Sequence, residues 1–462
     1  MNKRCIIEDN RHGIPANYFS DISSLVNKIS NKSLARLEKD GVFVFPGNLK
    51  ESKDLKSDLF VMKSTDGNSY CTSNVMGFLG FKDQQLIIRS RFSKEKGVSG
   101  YDDYFIFYIF SKVLDLPNVV NLNTNADFQN VLFNFLVFLF PYYLKRALRK
   151  GPYKEYMTVR YNDYSVKGAI DLQKHITLNT PFVGKIACKR REFSYDNNLM
   201  ELIRHTIEFI KRNRFADNLL FGVKDEIKLV NEVTLTYALS DRRKIIDNNK
   251  LHNVKHSYFR EYSELQRLCL MILQQQNHSL GSGSQSVCGV LFDGSWFWEE
   301  YVNKVIKDYF YHPINRNGIG CQWLFDKEDE NNNGLIYPDF IGKNHKTRII
   351  ADAKYRPIKN IKREDYFQLL TYMFRFDAKI GYFLYPESSA EQNNEVYRLN
   401  QGISHFENNV SPRDDIKVVK IGFRVPNIVT DSYELFCQEM MHSEEAFIDE
   451  LKQRAFNDQT ML

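Results

Sequence analysis

The sequence predicts an α/β fold of the α+β multi-domain kind, with a β-rich and helical N-terminal region followed by a sheet covered by helices, on three observations. Residues 41–92 read as short apolar runs ("VFVF", "LFVM", "QLIIRSRF") separated by Gly, Asn, Asp and Lys clusters, the signature of short strands. Over residues 101–149 the apolar residues thicken and recur at helical spacing. From residue 287 onward, strand-like and helix-like segments alternate. With 462 residues, 43% of them hydrophobic, the chain can bury more than one core.

Taken in order, the opening "MNKRCIIEDNRHG" turns polar after two isoleucines and lacks the apolar core of a signal peptide. "VLFNFLVFLFPYYL" is interrupted by Asn134 and Pro141 and falls short of the roughly 20 residues a bilayer needs, so it predicts a buried helix and no membrane contact. "YSVKGAIDLQKHI" and "GKIACKRREFS" read as strands, and "NLMELIRHTIEFIKR" as an amphipathic helix, with a further helix over residues 262–273. The polar, Gly/Ser-rich "QQQNHSLGSGSQS" at residues 274–286 is the best linker candidate and sets the main boundary.

Beyond it, "VCGVLF" predicts a strand, "SWFWEEYVNKVIKDYF" a helix, and "GIGCQWLF", "LIYPDFIG" and "TRIIADAKY" three successive strands. A helix ("REDYFQLLTYMFRF"), two strands ("AKIGYFLYP" and "IKVVKIGFRV") and a charged helix from Tyr433 complete the order. The expected organisation is therefore residues 1–100, 101–280, 287–430 and 431–462. Seven singly scattered cysteines without a CxxC pair signal neither a disulfide framework nor a zinc ribbon and fit a reducing cytoplasm. A formal net charge of +6 permits a nucleic-acid partner without requiring one.

The chemistry concentrates in "YPDFIGKNHKTRIIADAKY". Strand side chains alternate, so Asp352 and Lys354 share a face. A turn at "GKNHKT" folds two strands into a hairpin with Asp339, placed at mid-strand, beside Asp352. Two carboxylates so close repel unless a cation lies between them. A hard divalent ion suits the pair because it takes carboxylate oxygens and leaves positions for phosphate. A lysine beside it can orient a water and offset charge on a pentacovalent phosphate. The competing reading is a weak surface ion pair, but Asp352 follows the apolar "RIIA", as on a central strand, where an unpaired carboxylate is costly. Gln368 and Tyr372, four apart, share one helix face, and Glu299 in "FWEEYV" offers another acid. Of the basic clusters, Arg356, Lys359, Lys362 and Arg363 directly follow the charged strand and are the favoured DNA contacts. Those around Lys145 and Lys189 read as solvated ends and edges.

"PD" at Pro338 and Asp339, "DAK" at residues 352–354 and "QLLTY" at residues 368–372 resemble the motifs of PD-(D/E)XK nucleases of the subgroup with a glutamine-tyrosine helix. More narrowly, "NVMGFLGFKDQQLII", "KGAIDLQKHI", "REFSYDNNLMELI" and "LFDGSWFWEEYV" resemble, in this order, segments of McrC-type restriction subunits and the related LlaJI-type restriction endonucleases. The resemblance runs over about residues 75–425 and implies a PD-(D/E)XK restriction-endonuclease-like domain after the N-terminal region. By resemblance, Asp339 and Asp352 are ligands of Mg²⁺ (or Mn²⁺), Lys354 is the catalytic lysine, Glu299 a supporting acid, and Gln368 and Tyr372 the auxiliary pair.

The resemblance further implies an endonuclease subunit that cuts double-stranded DNA of foreign origin. It would act with an AAA+ McrB-like GTPase or ATPase and other restriction-system subunits, with DNA recognition or partner binding in residues 1–100 and partner docking in residues 101–280. The chain has no G-x-x-x-x-G-K-[ST] of its own, so nucleotide acts only through the partner. McrC-type systems attack methylated DNA and LlaJI-type systems spare it; both stay open. A repair or recombination nuclease of the same fold, and a non-catalytic scaffold stimulating a partner NTPase, are the alternatives.

Overall fold

Apolar strands that find partners far away in sequence build the N-terminal sheet. In the computed structural model, which describes residues 3–45, 60–93, 104–115, 128–212, 217–275, 287–313, 320–327, 330–344, 348–388, 394–427 and 432–456, this sheet runs in the order Lys3–Glu8, Gln84–Arg89, Val75–Phe81, Cys288–Asp293 and Phe43–Phe45. Val75–Phe81 is buried along its whole length, as the uninterrupted "VMGFLGF" requires. Gly77 and Gly289 allow Val75–Phe81 and Cys288–Asp293 to approach. A Cβ on Gly77 would lie 2.1 Å from the Val290 carbonyl oxygen, and one on Gly289 would lie 2.1 Å from that of Phe78.

"VCGVLF" is thus a strand, but of the N-terminal sheet rather than of the sheet that follows it in sequence. For that reason the chain divides differently from the four consecutive segments expected. One compact unit joins Met1–Leu132 to Leu280–Leu462, and the other is Phe133–Ser279. Most of the Gly/Ser-rich linker candidate, residues 276–286, lies outside the described residues.

The second sheet of the larger unit runs Phe310–Tyr311, Phe340–Gly342, Ile349–Ala353, Ile380–Glu387, Val410–Arg424 and Glu395–Gly402. Its three central strands, Ile349–Ala353, Ile380–Glu387 and Val410–Arg424, are parallel. The helix Arg363–Arg375 makes the crossover between the first two and buries Leu369, Tyr372 and Met373 against Ile350, Phe383 and Tyr385. On the opposite face, the helix Gly294–Ile306 inserts Trp298, fully buried, whose indole N–H donates to the Leu384 carbonyl at 3.0 Å and whose ring meets Phe423. The C-terminal helix Tyr433–Phe456 covers the same face, with Phe447 on Phe423 and the Glu444 carboxylate accepting from the Tyr108 and Tyr301 hydroxyls at 2.9 Å each.

Trp298 therefore combines the largest fully buried side chain with an interior hydrogen bond. Trp298→Ala is expected to cost about 3–5 kcal/mol through cavity formation and the loss of a buried hydrogen bond, read as a lowered midpoint in guanidinium unfolding. A midpoint unchanged from wild type would contradict this packing.

The smaller unit carries an antiparallel sheet ordered Glu155–Asp163, Ile186–Ser194 and Ala169–Ile170. Its helices include Asn198–Ile210, whose first turn is capped by Asn197 accepting from the Leu199 and Met200 N–H groups. "YSVKGAIDLQKHI" is not one strand: only Ala169–Ile170 is extended, and Leu172–Leu178 is a helix because Asp171 caps it, accepting from the Lys174 N–H at 3.3 Å. "VLFNFLVFLFPYYL" falls within the helix Phe128–Leu148, and no helix among the described residues is long and apolar enough to cross a membrane. All seven cysteines carry free thiols.

Candidate active site

Antiparallel pairing of Phe340 with Ala351 brings the residue before Phe340 opposite Asp352. That residue is Asp339, whose Oδ2 accepts from the Ala353 N–H at 2.8 Å. "LIYPDFIG" is not the single strand expected: Glu330–Ile336 pairs with Gln322–Lys327 as a separate ribbon, and Phe340–Gly342 joins the main sheet. Pro338 lacks an N–H for a ladder, so the chain breaks there and Asp339 stands at the entrance to its strand rather than at mid-strand. Part of the connecting turn, including His345, lies outside the described residues.

Lys354 lies one residue past the end of Ile349–Ala353, and its main-chain N–H donates to the Leu384 carbonyl at 2.9 Å. Its Nζ is 2.7 Å from Asp352 Oδ2, 3.4 Å from Asp365 Oδ1 and 3.5 Å from Gln368 Oε1. Gln368 in turn donates to the Tyr372 hydroxyl at 2.7 Å, which donates to the Tyr337 carbonyl at 3.3 Å. The side chains of Asp352, Lys354, Gln368 and Tyr372 thus form one connected group at the carboxyl end of a central strand, and the Asp339 carboxylate is held beside it on the Ala353 N–H. Glu299 approaches from the helix on the other side, 3.8 Å from His312 Nε2, while His312 Nδ1 donates to the Asp339 carbonyl at 2.7 Å.

The electrostatics are those of crowded acids around the Lys354 ammonium. Burial, and then the charges of Glu299 and Asp352, hold the Asp339 carboxyl well above the usual carboxylate range. Burial raises Asp352 as well, offset in part by Lys354. Glu299 is pushed up to about 8, first by burial and then by Glu300, Asp352 and Asp293. Burial opposes the Lys354 charge, but Asp352 and Asp339 outweigh it and keep the ammonium protonated. Burial pushes the Tyr372 phenol up to about 12.

This donor set fits a hard divalent ion in one particular way. Among the described residues no three His, Cys, Asp or Glu side chains converge into a metal cage. A pair of carboxylates that leaves the remaining positions to water and phosphate is how Mg²⁺ is commonly held, whereas zinc takes closed nitrogen and sulfur sets.

Two members of the group have no counterpart in the sequence reading. Asp365, 8% exposed, pairs with Lys354 and with Arg356 at 3.1 Å and accepts the Lys362 N–H at 2.7 Å. The available signal was an acid at the third position of a helix, where it can form a capping box. His312 gave no local signal, because its contacts are to residues brought in by the sheet. Of the basic cluster, Arg356 is engaged by Asp365, while Lys359, Lys362 and Arg363 are exposed, with the Arg363 guanidinium 5.0 Å from the Phe367 ring centroid.

Two solved structures match the chain. A half-complex from a tetradecameric assembly of Thermococcus gammatolerans McrB AAA+ hexamers with bound McrC matches at 14% identity and a TM-score of 0.44, covering 95% of this chain and 100% of that one. A Thermococcus gammatolerans McrBC complex matches at 16% identity and a TM-score of 0.28, covering 66% and 87%. Neither score is high enough to establish a shared fold. No curated protein matches the chain. Residues 71–386, more than half of the sequence and including every residue of the group above, match the family of McrBC 5-methylcytosine restriction system components, and the chain belongs to that family.

Proposed function

We propose that the chain is the nuclease subunit of a restriction system, of the McrC type, which hydrolyses phosphodiester bonds of double-stranded DNA in partnership with an AAA+ NTPase. The observation that carries this reading is the convergence of Asp339, Asp352 and Lys354 at the end of a central parallel strand. Asp339 and Asp352 would hold Mg²⁺ or Mn²⁺, with Glu299 as a supporting acid. The ion supplies Lewis acidity toward a phosphate oxygen.

The chain's own residues do the rest. Lys354, held protonated by its acidic neighbours, orients a water toward phosphorus and offsets negative charge as the phosphorane forms. Gln368 accepts from the ammonium and, through Tyr372, ties it to the main chain at Tyr337, which fixes its direction. His312 fixes the Asp339 peptide. Family membership, together with the missing P-loop, supports a separate NTPase subunit.

The test is cleavage by the full chain with its AAA+ partner on plasmids with and without 5-methylcytosine. Cutting of the methylated plasmid is expected. Partner NTPase stimulation without cutting of either plasmid would leave the scaffold reading instead.

Lys362 and Arg363 are exposed at the start of the helix that carries Gln368 and Tyr372, and we assign them to the DNA backbone. Replacing both by alanine is expected to weaken binding to all sequences alike and to flatten log K against log[salt] by about one unit per lost contact. An unchanged slope assigns them to solvent.

A further inference from the structure

We infer that Arg91 is a positioning residue for the catalytic group, so that the N-terminal sheet is a working part of the nuclease centre; the inference rests on the site reading given above. Arg91 lies just beyond the strand Gln84–Arg89. Its main-chain N–H donates to Asp9 Oδ1 at 2.7 Å, and its guanidinium lies 3.8 Å from Asp9 Oδ2. Asp9 is 1% exposed, so this pair is out of water.

From that anchor the guanidinium reaches both sides of the centre. One terminal nitrogen donates to the main-chain carbonyl of Tyr355, the residue after Lys354, and to Asn74 Oδ1 at 3.1 Å. The guanidinium also lies over the Tyr355 ring, 4.7 Å from its centroid. The Tyr355 hydroxyl is 2.6 Å from the Ser90 hydroxyl, and the edge of Phe92 meets the ring. Lys354 itself is tied at its N–H to Leu384 and at its carbonyl to the Arg356 N–H at 2.8 Å. The Tyr355 anchor therefore sets where the catalytic strand ends and its lysine departs.

Asn74 carries the second connection. Its carbonyl accepts from the Gly294 N–H at 2.8 Å, and its amide donates to Ser295 Oγ at 3.1 Å. These are the first residues of the helix that presents Glu299. Gly294 is required there, since a Cβ would come within 2.7 Å of the Tyr355 ring. A planar fork with several donors can hold two strand ends and a helix start together, which a lysine ammonium cannot fully reproduce.

The experiment uses the full chain with its AAA+ partner and compares wild type, Arg91→Met, Arg91→Lys and Asp352→Ala. Arg91→Met is expected to lower the single-turnover cleavage rate by about 100-fold, the scale of a misplacement near 1 Å, with KM for DNA and partner NTPase stimulation unchanged. Arg91→Lys is expected to recover part of the rate. If Arg91→Met unfolds because the buried Asp9 carboxylate loses the guanidinium charge, Asp9→Asn/Arg91→Met carries the same expectation. A rate near that of wild type, or a loss that only tracks the folded fraction, overturns the inference. An inactive Asp352→Ala beside a fully active Arg91→Met would overturn it alone, whereas an active Asp352→Ala would overturn the site reading beneath it.

Discussion

Asp352→Ala and Lys354→Ala are each expected to lower DNA cleavage by about 10³-fold or more, the scale on which single groups acting at a transition state are lost, while the protein remains folded and still stimulates its partner. The geometry separates the two outcomes. Without Asp352, Lys354 Nζ keeps Asp365 at 3.4 Å and Gln368 at 3.5 Å, so the ammonium is not stranded. Burial already disfavours the Asp352 charge, and its removal relieves one of the crowded acids. Lys354→Ala is the harsher change for stability, because Asp352 and Asp339 then face each other without their cation. The measurement is plasmid cleavage with partner NTPase rate and circular dichroism recorded on the same preparations. Cleavage that persists in the double variant places the nuclease centre elsewhere; loss of partner stimulation together with cleavage makes these residues structural.

Removal of divalent ions is expected to abolish cleavage, with Mg²⁺ or Mn²⁺ restoring it and Zn²⁺ failing to do so. The two carboxylates offer oxygen alone, and His312 is turned to the Asp339 carbonyl and the Glu299 side chain. Hard cations that keep their waters match such a pair, and softer ones that seek nitrogen and sulfur do not. Cleavage measured after chelation and re-addition, one metal at a time, checks this. Full activity in excess chelator would contradict the assignment of Asp339 and Asp352.

Residues close in sequence were legible, and contacts made at long range were not. The period of two in a strand put Asp352 and Lys354 on one face, and the i, i+4 spacing put Gln368 beside Tyr372; both appear as a bonded group. The apolar "VCGVLF" announced a buried strand but not its partners, because apolar composition reports burial and not neighbours. Those partners are Val75–Phe81 and Phe43–Phe45, more than 200 residues earlier. "DLQKHI" is read into a strand although its two apolar residues, Leu172 and Ile176, stand four apart as on a helix, and the Asp171 cap starts that helix. Pro338 was read as part of a motif when its missing N–H also decides where one strand stops and the next begins. Asp365 and Arg91 act through partners that only the folded chain supplies.

The most direct measurement of the central claim, that Asp339 and Asp352 form a divalent-ion centre served by Lys354, is a Mn²⁺ titration followed by electron paramagnetic resonance. It uses the full wild-type chain and its Asp352→Ala variant, both with duplex DNA present. The expected result is a Mn²⁺ ion bound by wild type and absent from the variant, with Mg²⁺ competing for it. Equal Mn²⁺ binding by the two proteins would contradict the claim.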